Sequence, residues 1–383
     1  MQPTERLFDK DPYMTEFSAT VLCWKQCDGA FFAALDRTAF FPEGGGQFCD
    51  LGTLYNADVL DVQEDESGVI WHKINKPVET GIIVNGKIDF RRRFDFMQQH
   101  SGEHIFSGLA HRHFGATNVG FHLGLDMTTI DLDVPLGEEN INLLEREANE
   151  AIYKNLPIEI SYPSPEELAA LPYRSKKELS GRVRIVTVPG YDICACCGTH
   201  TARTGEIGII KIVSFQNYKG GTRLFMLCGE RALSDYRRKN ADVTKVACSL
   251  SIKPEELCAG VARLSAEITE HKIYESSLKK ELFAVKASSL GSGERKAVFE
   301  ENLSPDEIRR FCLTLSESFD MAAVFCGRDG EWKYAAAAKE RDCRVLSKAL
   351  NDSFCGRGGG KPELVQGSCG GTRKEIESLF GAI

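Results

Sequence analysis

Asp95-Phe-Met-Gln-Gln-His100-Ser-Gly-Glu103-His104-Ile-Phe-Ser-Gly-Leu109 reads as a helix, because Phe96, Ile105, Phe106 and Leu109 alternate with polar residues in a pattern that runs to Gly115. Within it His100 and His104 stand at i and i+4, so both imidazoles leave one face of the helix within reach of a single ion. Upstream, residues 15–85 break into short apolar runs at 31–41, 51–60 and 68–74, with a turn at Pro42-Glu-Gly-Gly-Gly46. That spacing predicts a small β-barrel or meander over residues 1–88. Downstream, two strands within 119–135, an amphipathic helix over 138–155 and strands at 183–188 and 207–215 predict an α+β domain over residues 89–240.

Residues 241–290 carry another pattern. Leu257, Val261, Leu264, Ile268, Leu278 and Leu282 follow an alternating 4,3 spacing, interrupted at His271 and Glu275. The spacing predicts a long helical linker that packs as a hairpin with residues 243–250 or pairs with a partner chain. Ser288-Ser-Leu-Gly-Ser-Gly293 is expected to be flexible. Beyond it a helix over 306–319, strands at 321–326 and 332–337 and a glycine loop from Cys355 to Pro362 make a small α/β domain over residues 291–383. The fold class of the whole is α+β.

A chain of 383 residues calls for several domains, and its 42% hydrophobic and 27% charged content is that of a globular protein. No apolar run approaches the ~18 residues a membrane helix needs, and the N-terminal segment has no apolar core of a secretory signal. The expected location is the cytoplasm. The net charge of −8 is unevenly spread, with six basic and fourteen acidic residues over 1–85 but twenty and nineteen over 86–240. Arg91-Arg92-Arg93, Arg174 with Lys176 and Lys177, and Arg237-Arg238-Lys239 are clusters that can meet phosphates or simply form a solvated face.

Most of the fourteen cysteines are isolated among apolar neighbours and read as core thiols. Cys194-Ala-Cys196-Cys197-Gly-Thr-His200 is different, since three thiols and an imidazole fall within seven residues. Together with the helical pair, His100, His104, Cys196 and His200 form a set of three imidazoles and one thiolate that suits Zn²⁺ better than Mg²⁺ or Ca²⁺. Four protein ligands resemble a closed structural site, so chemistry there needs a fifth position or the loss of one ligand. Glu103 adds an acid beside this face, as a base, a supporting partner or a solvated helix residue. In Arg37-Thr38-Ala-Phe-Phe-Pro-Glu-Gly44-Gly45-Gly46-Gln47 the glycines remove every Cβ where a ligand has to approach the main chain, and Thr38 and Gln47 offer polar groups beside them.

The sequence resembles the stand-alone alanyl-tRNA editing proteins of the long type, which are similar to the editing and C-terminal domains of alanyl-tRNA synthetase. The resemblance is carried by Phe40-Phe-Pro-Glu-Gly-Gly-Gly-Gln47, Met97-Gln-Gln-His100 through His104, Cys196 to His200 with Thr204-Gly-Glu-Ile-Gly208, and Gly221-Thr-Arg223 through Leu233. Residues 291–383 look like the synthetase's C-terminal domain, which also accompanies DHH phosphoesterases. The chain departs from the family's Cys-Gly-Gly-Thr-His in carrying Cys197, which leaves either Cys196 or Cys197 as the thiolate. The resemblance implies a zinc-containing hydrolase acting on mischarged alanine tRNA, with serine and also glycine as the wrong amino acids; with no adenylate-forming synthetase domain in the sequence, aminoacylation is not expected. The candidate catalytic residues are Thr38, Gln47 and Glu103 and the candidate substrate-binding residues Gly44, Gly45, Gly46 and Arg223, while the resemblance fixes the order of the motifs and not the role of Glu103; the long helix and the resemblance allow a homodimer. His100-x-x-Glu103-His104 also matches an inverted zinc-peptidase motif, and a non-catalytic tRNA-binding protein with a structural zinc is a third reading.

Overall fold

The computed structural model describes residues 1–175 and 183–383, so Lys176 and Lys177 of the second basic cluster lie outside the described residues. The chain divides into two compact units, Met1–Thr244 and Lys245–Ile383. In the first unit the strands Glu16–Cys27, Ala30–Leu35, Ile70–Ile74, Ala57–Glu64, Gly52–Leu54 and Ile83–Ile88 close, in that order, into a barrel. Their alternation directs Phe17, Ala19, Val21, Val59, Val62, Ile70 and Ile74 inward onto Phe8, Phe40 and Phe41.

Two polar residues, His72 and Thr38, meet in this interior. His72 donates from Nδ1 to the Ala33 carbonyl at 3.2 Å and meets the Thr38 hydroxyl with Nε2 at 2.8 Å, while Thr38 Oγ1 also accepts from the Phe40 amide at 3.1 Å. Burial brings the His72 pKa down to about 4 from 6.5. The unfolded chain takes up this proton near pH 6.5 and the folded chain holds it off until about pH 4. The stabilisation by the neutral ring is therefore complete above pH 6.5 and is lost as the pH falls through that window, by about 3 kcal/mol in all. Urea midpoints are expected to rise from pH 4.5 to pH 7, and His72→Gln is expected to flatten that rise; an unchanged slope in the variant would refute it.

The helix predicted from Asp95 starts earlier and spans Phe90–Phe114. Asp89 caps it by accepting from the Arg92 amide at 3.2 Å, and Gly115 ends it in the left-handed region at φ 64°. The early start was hidden by the three arginines, which look like a solvent face. Arg93 is instead fully buried in an ion pair with Asp50, and donates also to the Pro12 and Ala39 carbonyls. The cluster is therefore not a phosphate patch as a whole, because its third member is a structural cation inside the unit.

Strands Ile210–Tyr218, Gly221–Cys228, Thr128–Leu132 and Asn118–Leu123 form a sheet in that order, against which Ile105, Phe106 and Leu109 of the helix pack. Helix Glu138–Lys154 adds Ile141, Leu144, Ala148 and Ile152 to the same core. A separate three-stranded sheet, Glu159–Ser161, Ile185–Val188 and Asp192–Ala195, brings the cysteine-rich segment to the helix. Arg237, Arg238 and Lys239 are exposed and ion-paired with Glu230 and Asp235.

In the second unit helix Leu257–Ser289 continues through the serines expected to be flexible, because Phe283 stacks on Phe311 at 4.6 Å and Ala287 joins the same core. The expected glycine loop is a strand, Arg357–Lys361, at the edge of the sheet Gly293–Glu300, Phe319–Arg328, Glu331–Ala338, Leu364–Cys369, Arg357–Lys361. Close approach explains two of its glycines, since a Cβ at Gly358 would lie 2.2 Å from the Tyr334 hydroxyl and one at Gly360 2.4 Å from the Leu364 carbonyl. The expected hairpin with the long helix closes only near its turn, where Ala247 is buried and a Cβ at Gly260 would lie 2.3 Å from Ile252 and 3.8 Å from Leu250. Val246, Val261, Leu264, Ile268, Leu278 and Leu282 all stay exposed. Among the described residues no helix is long and apolar enough to cross a membrane.

Candidate metal centre

The i,i+4 spacing on Phe90–Phe114 sets the rings of His100 and His104 5.2 Å apart. The segment after strand Asp192–Ala195 turns back over them, so that the His200 ring lies 4.4 Å from His100 and 4.6 Å from His104. Donor atoms of His100, His104, Cys196 and His200 all fall within 4.8 Å of one another, and the three histidines are buried. Cys196 Sγ lies 3.4 Å from His100 Nε2 and 3.5 Å from His200 Nε2. A tetrahedral ion with Zn–N near 2.0 Å and Zn–S near 2.3 Å requires such donors about 3.5 Å apart. Cys197 is exposed and outside the group, which gives the thiol position to Cys196.

The other ring nitrogens are each taken by a neighbour. His104 Nδ1 donates to Asp192 Oδ2 at 2.9 Å, His100 Nδ1 to Gln47 Oε1 at 3.2 Å, and His200 Nδ1 lies 3.2 Å from Ser101 Oγ. These contacts hold the outer nitrogens and turn the Nε2 atoms of His100 and His200 toward Cys196 Sγ, the arrangement metal-ligating imidazoles adopt. Burial pushes the Cys196 thiol up, but the imidazoles of His100 and His104 outweigh it and hold it well below the usual thiol range. Burial and the neighbouring imidazoles bring His200 down to about 3. Burial also lowers His104, but Asp192 and Cys196 raise it well above its ordinary value, so a metal has a proton to displace there. A thiolate with neutral imidazoles is a donor set for a soft or borderline dication, and these residues fit zinc.

Gly198 is required by the closeness of this packing, since a Cβ there would lie 2.2 Å from His100 Cε1. Arg184 donates to the carbonyls of Cys196 and Gly198 at 2.8 and 3.0 Å and shapes the loop between them.

Gln47 is brought to the group. It accepts from His100 and donates from Nε2 to Thr199 Oγ1 at 3.0 Å, so one amide joins the helix and the cysteine loop. The exposed turn of Gly44, Gly45 and Gly46 precedes it, and Gly46 packs so closely on Phe121 that a Cβ would come within 2.9 Å of it. Phe121 in turn stacks on His100 at 5.3 Å. Glu103 is buried but is not one of the four donors; its Oε1 accepts from Ser107 at 2.6 Å and from Asn118. Thr38 sits inside the barrel against His72. Arg223 is held by Asp131 through two bonds of 2.6 and 2.7 Å and lies 3.7 Å over the Tyr218 ring.

Sequence reasoning missed Asp192, Arg174 and Ser101. Arg174 was read with a basic cluster, but it is drawn to the buried Asp192 by bonds of 2.7 and 2.9 Å. A signal for Asp192 did exist, since it precedes Cys194 and Cys196 by two and four residues and so shares their side of an extended segment.

Residues 183–225, which include Cys196 and His200, match the family model described as the threonyl and alanyl tRNA synthetase second additional domain. The chain is 32% identical over 352 residues to an alanine–tRNA ligase of Halobacterium salinarum, covering 85% of this chain and 38% of that one. Similar proteins of the same description are those of Ignicoccus hospitalis (29% over 392 residues, 98% and 42% covered) and Pyrococcus furiosus (30% over 398 residues, 98% and 43%). The chain thus spans about two-fifths of the length of these curated relatives. The C-Ala domain of Aquifex aeolicus alanyl-tRNA synthetase overlaps 23% of this chain and 85% of its own at 14% identity and a TM-score of 0.20, too slight a likeness to assign a fold.

Proposed function

The chain resembles the editing and C-terminal domains of alanyl-tRNA synthetase, and on that premise we propose that it is a trans-acting aminoacyl-tRNA deacylase that hydrolyses mischarged alanine tRNA, chiefly the serine ester and also the glycine ester. The observation that carries this reading is the buried group of His100, His104, Cys196 and His200, which lies partly within the matched segment and has its outer hydrogen bonds already made. Zinc held by these four side chains would supply an electrophile for the substrate's amino or carbonyl group.

Around it, Gln47 orients His100 and links the two ligand-bearing segments. The turn of Gly44, Gly45 and Gly46 leaves main chain open beside Phe121, where the aminoacyl end of a tRNA has room to approach. Thr38 and Glu103 act through their neighbours, Thr38 by holding His72 and the chain entering the turn, Glu103 by tying Ser107 and Asn118 to the helix. Arg223, tied to Asp131 and lying over the Tyr218 ring, presents a partly exposed cation that a tRNA phosphate can meet.

The peptidase reading loses support because Glu103, its general base, is engaged by Ser107 and Asn118. The deciding experiment is to present the purified chain with seryl-, glycyl- and alanyl-tRNA(Ala) and with a peptide library. Release of serine at a rate at least tenfold above that of alanine, with the peptides intact, is expected; cleaved peptides and stable seryl-tRNA would overturn the proposal.

A further inference from the structure

The three imidazoles are supported unequally. His100 gives its Nδ1 proton to a neutral amide, Gln47, and His200 faces a neutral hydroxyl, Ser101, which already accepts from the Thr201 amide at 3.1 Å. His104 alone among these three has a carboxylate partner, Asp192. That carboxylate is almost wholly buried and is gripped through both oxygens by Arg174, whose Nε and Nη2 lie 2.7 and 2.9 Å away. Arg174 is fixed in turn by the backbone, because its amide donates to the Ile193 carbonyl at 2.8 Å and its own carbonyl accepts from Ala195 at 2.9 Å. The guanidinium, carboxylate and imidazole thus form a continuous chain that ends on the Nε2 of one ligand.

We propose that Asp192, backed by Arg174, is a positioning residue that makes His104 the anchoring ligand of the metal, so that ligand exchange during substrate binding falls on His100 or His200. The inference rests on the four-residue group holding zinc. A carboxylate behind an imidazole orients the ring and raises its basicity, and loss of such a partner costs about 10- to 100-fold in metal affinity. A bond to a neutral amide or hydroxyl does the first of these and little of the second. Arg174 holds the buried carboxylate in one plane, through two parallel bonds that a lysine cannot make. A site with four protein ligands needs such an inequality if it is to open a position without releasing its ion.

The test uses the full chain with zinc, and with cobalt as a spectroscopic probe. Competition with a chelator gives the zinc affinity of wild type, Asp192→Asn, Arg174→Lys, Gln47→Leu and Ser101→Ala, and the cobalt absorption bands report the ligand field. Asp192→Asn is expected to lose 10- to 100-fold in affinity and Arg174→Lys a smaller amount, both with shifted cobalt bands, while Gln47→Leu and Ser101→Ala lose less than Asp192→Asn. Since a single change in a buried ion pair can unfold the protein, the double variant Asp192→Asn/Arg174→Met, which removes both charges, is measured beside them. It is expected to fold and to show the full loss. Equal losses at Asp192, Gln47 and Ser101, or no loss in the double variant, would overturn the proposal. Absence of zinc from wild type would instead overturn the metal reading on which it rests.

Discussion

On the proposed deacylase function, Cys196→Ala is expected to yield a folded chain that retains no stoichiometric zinc and hydrolyses seryl-tRNA(Ala) at least 100-fold more slowly than wild type. The thiolate is the softest of the four donors and meets two of the imidazoles at 3.4 and 3.5 Å, so the three histidines without it make a poorer site for zinc. Cys197→Ala serves as its control, because that thiol is exposed and outside the donor group. It is expected to keep both metal and activity. Metal analysis after dialysis, with single-turnover deacylation, checks the pair. Zinc lost from Cys197→Ala but kept in Cys196→Ala would move the ligand by one residue, and full occupancy in Cys196→Ala would remove the thiolate from the centre.

The largest stability effect is expected at Arg93. Its side chain is fully buried, with bonds to Asp50 and to the carbonyls of Pro12 and Ala39, and Asp50 also accepts from the Phe41 amide at 2.5 Å. Arg93→Met leaves the Asp50 carboxylate in the interior with no cation. Breaking one side of a buried pair costs about 3–5 kcal/mol, which at about 2–4 °C per kcal/mol for a unit of this size lowers the melting temperature by ~6–20 °C. Pairing it with Asp50→Asn removes both charges and is expected to recover part of the loss. Thermal unfolding of the two variants checks this. A drop below about 1 kcal/mol in Arg93→Met would mean that the pair contributes no more than a surface salt bridge.

Arg93 also shows where a sequence misleads. Three consecutive arginines look alike in one dimension, yet one is exposed, one lies over the Phe96 ring at 4.6 Å, and one is interior. The helical period assigns faces only once it is known what packs on each, and here the helix is covered almost all round from Phe96 to Ala110. The same limit hid the continuation of helix Leu257–Ser289 through a serine-rich stretch, where stacking of Phe283 on Phe311 outweighs weak local propensity.

The sequence by itself determined the α+β class, a run of short strands before Asp89, the helix that bears His100 and His104, and the pairing of that helix with Cys196 and His200. Each of these follows from a local period or a spacing of residues with few chemical uses, and such signals survive without knowledge of neighbours. The tertiary structure alone decided that Cys196 rather than Cys197 joins the group, that Gln47 and Asp192 hold two of its histidines, and that Arg174 belongs behind Asp192 instead of on a phosphate-binding face. Those contacts join residues 18 to 88 positions apart, or choose between adjacent ones. A hydrogen bond of about 3 Å at such a separation is set by how strands and helices pack, which no period in the chain records.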